Sequence, residues 1–312
     1  MQFFNKETHY DFMAKSKLAM VFSGILVLVS IVSLVGKGLN FGLDFTGGTL
    51  LEVGYPHAVQ LADIRKALAE AKYEDAVVQH FGTAKDILVR VAPREGVSSS
   101  QAGDAILKVL KDSSNGAATM RRQEYVGPQV GDELRDDGGL AMIIALGCIL
   151  VYVMMRFEWR FAVGSVAALI HDVLITLGCF ALFQWDFDLT VMAAVLAVIG
   201  YSLNDTIVVF DRIRENFHVL RKSSTVEVIN TSINQTLSRT IMTSGTTLLV
   251  VVAMFLMGGE LIHDFSTALL VGIGVGTYSS IYIASTIALS LKVSRADLMP
   301  VQKEGADQEN MI

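Results

Sequence analysis

The sequence predicts an α-helical membrane protein: six transmembrane helices, with a ferredoxin-like α+β domain inserted between the first and the second. Three observations lead there. Hydrophobic residues make up 52% of the 312 residues and mean hydropathy is +0.48, too apolar for an ordinary soluble chain. Apolar runs of about 20 residues recur at approximately 18–36, 138–155, 161–183, 189–210, 238–257 and 265–291, each long enough to cross a bilayer. Residues 37–137 form one large insertion whose pattern is that of a folded soluble domain.

The first span follows a segment, 1–17, that carries Lys6, Lys15 and Lys17. That leading region is long and no small-x-small site follows it, so the span is expected to be an uncleaved anchor. In the insertion, Thr49–Tyr55 has strand character. Val59–Tyr73 places Leu61, Ile64, Ala67, Leu68 and Ala71 on one helical stripe. Ala76–Phe81 and Ile87–Val91 are short strands joined through Gly82–Asp86 as a hairpin. Ser98–Leu110 is a second helix with serines available as its N-cap, and Ala118–Val126 a last strand. The order β-α-β-β-α-β is the split βαβ arrangement, expected as a four-stranded antiparallel sheet with two helices on one face. A fold of this kind hosts many functions.

Charge and cysteines narrow the class. Net charge is −6, and the insertion carries 12 Lys/Arg against 15 Asp/Glu, a net of −3 spread along its length. Nothing there suggests nucleic acid. Cys148 and Cys179 both lie in predicted spans, so no disulfide holds the insertion. It has no metal-ligand cluster, no nucleophile motif and no phosphate loop, since Gly47-Gly48 lacks the GK[ST] that follows in a P-loop. The expectation is a binding or force-bearing domain, with no catalytic residue, no metal and no cofactor.

Short loops give orientation. Arg156 and Arg160 occupy one turn, and Arg212, Arg214, Arg221, Lys222 and Arg239 fall between Asp211 and Arg239. The turns at Gln184–Asp188 and Gly258–Asp264 contain no Lys or Arg. The positive-inside rule puts both termini in the cytoplasm and the insertion outside. The five later spans then form a unit, 138–291, with a cytoplasmic segment at 211–238 and a cytoplasmic tail at 292–312. Within that segment Ser224-Thr225-Val226-Glu227 is a capping box. Val226, Ile229, Ile233 and Leu237 follow at helical spacing, which fits an amphipathic helix on the membrane surface or a lead-in to the fifth span.

Two carboxylates sit where carboxylates are costly. Asp172 lies near the middle of the third span, about 16 Å in, and Asp205 lies roughly 8 Å inside the end of the fourth. A charge at such depth costs on the order of 3 kcal/mol, faces a bundle interior and commonly marks an ion or proton path. The plainer alternative is an interhelical hydrogen bond. Desolvation disfavours the charged form, which suits an acid to binding protons reversibly. Arg239 begins the fifth span at similar depth to Asp205 and is expected to pair with it; otherwise it is an ordinary basic anchor. Thr240, Thr243, Ser244, Thr246 and Thr247 follow it, hydroxyls able to bond across helices. The couple His171-Asp172 has no nucleophile in register and no legible Ser-His-Asp order. Gly272 and Gly276 share one face of the sixth span, where another helix can approach closely.

Taken together, Phe41-Gly42-Leu43-Asp44-Phe45-Thr46-Gly47-Gly48, the run from Gly200 to Asn216 that includes Asn204 and Asp205, Ser238-Arg239-Thr240 and Gly272 to Ile283 resemble the SecF family. Its members are the smaller subunits of the bacterial SecD–SecF protein-export accessory, of the resistance-nodulation-division superfamily. The resemblance runs nearly the length of the chain, up to Pro300. It implies a location in the bacterial inner membrane, a periplasmic insertion and a SecD-like partner supplying the other half of a twelve-span unit. It further implies work beside the SecYEG translocon on unfolded secretory proteins, in contact with membrane lipids, driven by the proton gradient late in translocation. In that picture Asp205 is the fourth-span acid of the proton path and Arg239 the basic residue associated with it, with Asp172 a weaker member; Asp44, Gly47, Gly48 and Asn204 belong to the family's motifs. The alternative is a proton-driven exporter of small molecules or lipids from the same superfamily, which would usually carry both halves in one chain. An intramembrane protease predicts Gly-Asp pairs, Ser/His dyads or HExxH within spans, and these spans have none.

Overall fold

The computed structural model describes residues 8–94 and 99–294. After a 3-10 turn at Met13–Lys15, α1 (Ser16–Gly36) leads into a two-residue strand β1 (Asn40–Phe41) and a single helical turn α2 (Leu43–Thr46). The α+β domain follows as β2 (Gly48–Gly54), α3 (Leu61–Glu70), β3 (Val77–Phe81), β4 (Thr83–Val91), α4 (Ser99–Ser113) and β5 (Thr119–Val126). Then come α5 (Pro128–Arg156), α6 (Trp159–Phe183), the short β6 (Asp186–Phe187), α7 (Leu189–Val219), α8 (Thr225–Met257) and α9 (Glu260–Ser279). A π turn at Ser280–Ala284 joins α9 to α10 (Ser285–Ser290). Among the described residues, six helical segments are long and apolar enough to cross a membrane: Met13–Gly36, Gln129–Arg156, Trp159–Phe183, Leu189–Val219, Thr225–Met257 and Ile262–Ser290.

The external sheet has the order β3-β4-β2-β5, antiparallel throughout. Period-2 alternation sends Leu51 and Val53 of β2 and Ile87, Val89 and Val91 of β4 to one face. There they are buried with Ile64 and Leu68 of α3 and Ile106 and Leu110 of α4. β4 begins at Thr83 rather than near Ile87, because its hydrogen-bonded register with β2 runs to Asp86 and with β3 to Thr83. The N-cap expected at Ser98 lies outside the described residues.

In the helical layer, α1 buries a stripe of small residues, Ala19, Ser23, Ser30 and Ser33, and exposes Leu18, Val21, Ile25, Leu28 and Val32. The small face lets α6 come close: a Cβ on Gly178 would overlap Ser30. Gly272 of α9 likewise meets Val198 of α7, and a Cβ on Gly276 would stand 2.9 Å from that of Ser202. The sixth-span glycines thus face a helix of this same chain.

Residues 225–237 are continuous with the fifth span. Ser224 and Glu227 form the capping box (Glu227 N–H to Ser224 Oγ, 3.3 Å; Ser224 N–H to Glu227 Oε2, 2.7 Å), and α8 runs unbroken from Thr225 to Met257. A separate amphipathic surface helix is therefore not what forms; its apolar stripe, Ile229 and Ile233, is buried in the helical core. Val226 is exposed. Two asparagines on α8 hold the N-terminal segment by its backbone. Tyr10 N–H donates to Asn234 Oδ1 (2.9 Å) and Asn234 Nδ2 donates to Tyr10 O (2.8 Å), while Met13 N–H donates to Asn230 Oδ1 (3.0 Å).

The segment around Gly47-Gly48 joins the helical layer to the sheet through specific contacts. β1 pairs in parallel with β6, Asn40 opposite Asp186 and Phe41 opposite Phe187, so the exit of α1 is clipped to the α6–α7 connection. Asp44 Oδ2 accepts the Leu189 backbone N–H (3.1 Å), and Asp188 accepts from Val191 N–H (2.8 Å). Both carboxylates thus satisfy free N–H groups at the start of α7. Gly47 has φ 66° and ψ 177°, a region only glycine enters readily. At Gly48, with φ 126°, a Cβ would overlap the Val91 carbonyl oxygen. Arg90 of β4 donates to Phe41 O (2.8 Å), tying the sheet to the same clip.

Candidate functional site

The interior of the helical layer contains two buried carboxylates among the described residues, Asp172 on α6 and Asp205 on α7, and Ser202, which bonds the first, stands one turn before the second on α7. Asp172 is fully buried on α6. Its Oδ2 accepts from Ser202 Oγ of α7 (2.5 Å) and Ser279 Oγ of α9 (2.7 Å), and its Oδ1 lies 2.9 Å from Nδ1 of the adjacent His171. Three hydrogen-bond partners from three helices surround one side chain. The π turn starts directly after Ser279, and π turns recur at functional positions because they widen the helix locally.

Asp205 is buried on α7 but far less supported. Among the described residues its one hydrogen bond is a long one from Ser244 Oγ of α8 (3.4 Å). Ser244 also contacts Thr277 Oγ1 of α9 (2.8 Å) and receives Tyr201 Oη (3.3 Å). The two acids therefore sit on either side of one small-residue seam. Ser202 touches Asp172 and packs against Gly276, while the neighbouring Thr277 belongs to the Asp205 group.

The expected ion pair between Asp205 and Arg239 is absent. Arg239 is exposed, and the ion pairs among the described residues do not include it. The depth argument holds, but position around the helix decides contact. Ser244 follows Arg239 by five residues, about 140° around α8; Ser244 faces inward and Arg239 does not. Asn204 is exposed on α7, and a Cβ on nearby Gly200 would meet nothing.

A cleft of about 190 Å³ separates the outer sheet face from the adjoining ends of the helices, with Arg90, Glu52 and Glu124 on one side and Asp44, Asp186 and Asp188 on the other. Burial pushes the Asp186 carboxyl above the usual carboxylate range; Arg90 opposes this and Asp188 reinforces it. Among the described residues no group of three His, Cys, Asp or Glu is arranged to hold a metal ion.

Sequence reasoning placed Asp172 and Asp205 in the interior; of the hydroxyls after Arg239, Thr240 and Ser244 are buried, Thr246 is exposed, and only Ser244 bonds across helices among the described residues. It missed Ser202 and Thr277 as partners of the acids, and Ser279 lay only within the Gly272–Ile283 run. Isolated hydroxyls in long apolar runs carry no periodic signal; the one available clue was that Ser202 stands one turn before Asp205.

Residues 105–294 match the family described as protein export membrane protein SecD/SecF, C-terminal, and residues 32–55 match the SecD/SecF GG motif, the segment clipped by β1 and β6. The chain is 54% identical to the protein translocase subunit SecF of Vibrio alginolyticus over 312 residues, 99% of each chain. It is 51% identical to that of Pseudomonas aeruginosa over 293 residues, 94% of each. Among solved structures it is similar to the crystal structure of SecDF, a translocon-associated membrane protein from Thermus thermophilus (TM-score 0.83, 38% identity), covering 92% of this chain and 39% of that one. Against SecDF in a super-membrane-facing form the TM-score is 0.70, at 39% identity. This chain spans about two fifths of the length of those SecDF chains.

Proposed function

Because the chain belongs to the SecD/SecF family of protein-export membrane proteins, we propose that it is an accessory subunit of the Sec export machinery, not an enzyme. It acts with a SecD-like partner beside SecYEG to draw unfolded secretory proteins through the late stage of translocation at the expense of the proton gradient. The partner accounts for the remainder of the longer SecDF chains that this chain spans only in part. In this reading the protein sits in the bacterial inner membrane with both termini cytoplasmic and the α+β domain periplasmic, as the basic loops indicate.

The observation that supports proton coupling is the environment of Asp205: a buried carboxyl at membrane depth with one long hydrogen bond among the described residues, and an exposed arginine, Arg239, on the neighbouring helix. Desolvation favours the neutral acid while Arg239 stands away, and approach of the guanidinium favours the carboxylate. Alternation between the two couples proton uptake and release to a movement of α8 against α7. One proton crossing about 100 mV releases roughly 2.3 kcal/mol, and about 1.4 kcal/mol changes an equilibrium ten-fold. One or two protons suffice to bias a two-state movement of the external domain.

Export into sealed membrane vesicles, with and without a proton gradient, tests this. Asp205→Asn keeps shape and hydrogen-bonding capacity but cannot change charge. It is expected to leave protein level and complex formation near normal while abolishing gradient-dependent stimulation. Full stimulation in that variant would overturn the assignment.

A further inference from the structure

The His171–Asp172 couple is not used by the scheme above, and its hydrogen bonding is unbalanced in an informative way. Asp172 has both oxygens engaged by Ser202, Ser279 and His171 Nδ1. His171 is 6% exposed, and its Nε2 is buried with no partner among the described residues. The couple can hold one proton or two. With one, the proton lies on Nδ1, Asp172 is a carboxylate with three donors and Nε2 is a bare lone pair. With two, as carboxylic acid beside Nε2–H imidazole or as carboxylate beside imidazolium, Nε2–H is a buried donor without an acceptor, a costly arrangement. In this packing the singly protonated couple is the better hydrogen-bonded, and its one vacancy is a basic nitrogen inside the membrane layer.

We propose that His171–Asp172 is a second proton-binding centre, with His171 Nε2 the accepting atom and Ser202 and Ser279 linking its charge to the packing of α7 and α9. This rests on the proton-coupled reading above and adds a site to it. A hydronium ion delivering its proton leaves water, and the neutral imidazole becomes an imidazolium beside the Asp172 carboxylate. The new Nε2–H then requires an acceptor that this packing does not supply, so uptake demands a shift of the surrounding helices or entry of water.

The groups that face the couple are few. α7 contributes Asp205, one turn beyond Ser202. From α9 and the π turn come Tyr278, whose ring lies 6.4 Å from that of His171, and Tyr282. Tyr278 Oη is already committed to Ala19 O (2.8 Å) and Ser23 Oγ (3.0 Å) of α1. α10 has no titratable residue, α1 carries its lysine at one end, and α5 carries its charges at its two ends with Cys148 and Tyr152 between.

The test uses the full chain with its partner subunit in lipid bilayers, labelled with 15N-histidine, six residues in this chain. His171→Asn identifies the signal by difference; its amide keeps a donor to Asp172 where Nδ1 stood but has no second nitrogen. The expected result is an Nδ1–H tautomer in the neutral state that converts to imidazolium on acidification. His171→Asn is expected to keep normal complex yield and lose gradient-dependent export. An Nε2–H tautomer in the neutral state, no conversion on acidification, or unchanged export stimulation in His171→Asn would overturn the proposal. Should His171→Asn not assemble, the titration of the unaltered protein decides. Asp205→Asn keeps the two readings apart: retained export in that variant sinks the Asp205 assignment but leaves the imidazole titration as it is.

Discussion

Gly48→Ala is expected to loosen the external domain from the helices, and the structure gives the size of the effect. At φ 126° an L-residue is strained by about 1–3 kcal/mol. The added methyl would also overlap the Val91 carbonyl oxygen, a backbone atom held in the β2–β4 register opposite Thr49. Forcing that contact costs about a further 1–3 kcal/mol. The sum is about 2–6 kcal/mol. For a domain of this size each kcal/mol moves the melting temperature by about 4–8 °C, so a fall of at least about 8 °C is expected. Trp185 is a local reporter, its ring 5.4 Å from Phe180 and 4.8 Å from Phe183 beside β6. In a Trp159→Phe background it is the one remaining tryptophan, and its fluorescence on heating the detergent-solubilised chain reads the clip directly. A midpoint within about 2 °C of the parent protein would refute the reasoning, because neither strain nor overlap would then be felt.

Three other outcomes are expected. Gly276→Leu should separate α9 from α7 at Ser202, lowering stability by about 1–3 kcal/mol and reducing the yield of assembled complex in mild detergent; unchanged yield and unchanged export would place that face away from any helix. Tyr55 has its hydroxyl buried without a partner among the described residues, and burial pushes it up to about 12. Its neutral form is thus favoured by folding and stability declines as pH rises from about 10 to about 12; Tyr55→Phe should remove that decline and raise the melting temperature by an amount worth about 1 kcal/mol. Asp186, also pushed up by burial, stabilises the clip at low pH and loses that contribution as pH rises through its raised value. Asp186→Asn, still able to accept from Asn40 Nδ2, should give a Trp185 melting midpoint that is flat between about pH 4 and about pH 7, and a slope equal to the parent's would count against it.

What the sequence made legible follows from the length over which each signal repeats. Six apolar runs and a β-α-β-β-α-β order are long patterns, and the elements form in that order, though β4 starts at Thr83, α5 at Pro128 and α8 at Thr225, ahead of the expected 87, 138 and 238. β1 and β6 have two residues each, too few for any period, and pair across 146 positions, so the clip was invisible. Asp44 entered only as a motif residue because a capping partner 145 residues away leaves no local trace. Within the interior, depth was legible and azimuth was not. Counting residues put Asp205 and Arg239 at one level, but which side of α8 turns inward is decided by packing against α7 and α9, and it is Ser244 that turns inward.

The clip has a mechanical corollary. The first turn of α7 is bolted through Asp44 to the same short linker that carries the external domain, while Asp205 lies farther down that rod, about 24 Å from Leu189 at 1.5 Å per residue. Two short pairings, the β1–β6 ladder and the Asp44 cap, are thus the places where a tilt of α7 would be felt by the sheet, which makes them the coupling rod of the fold and not mere loop closure.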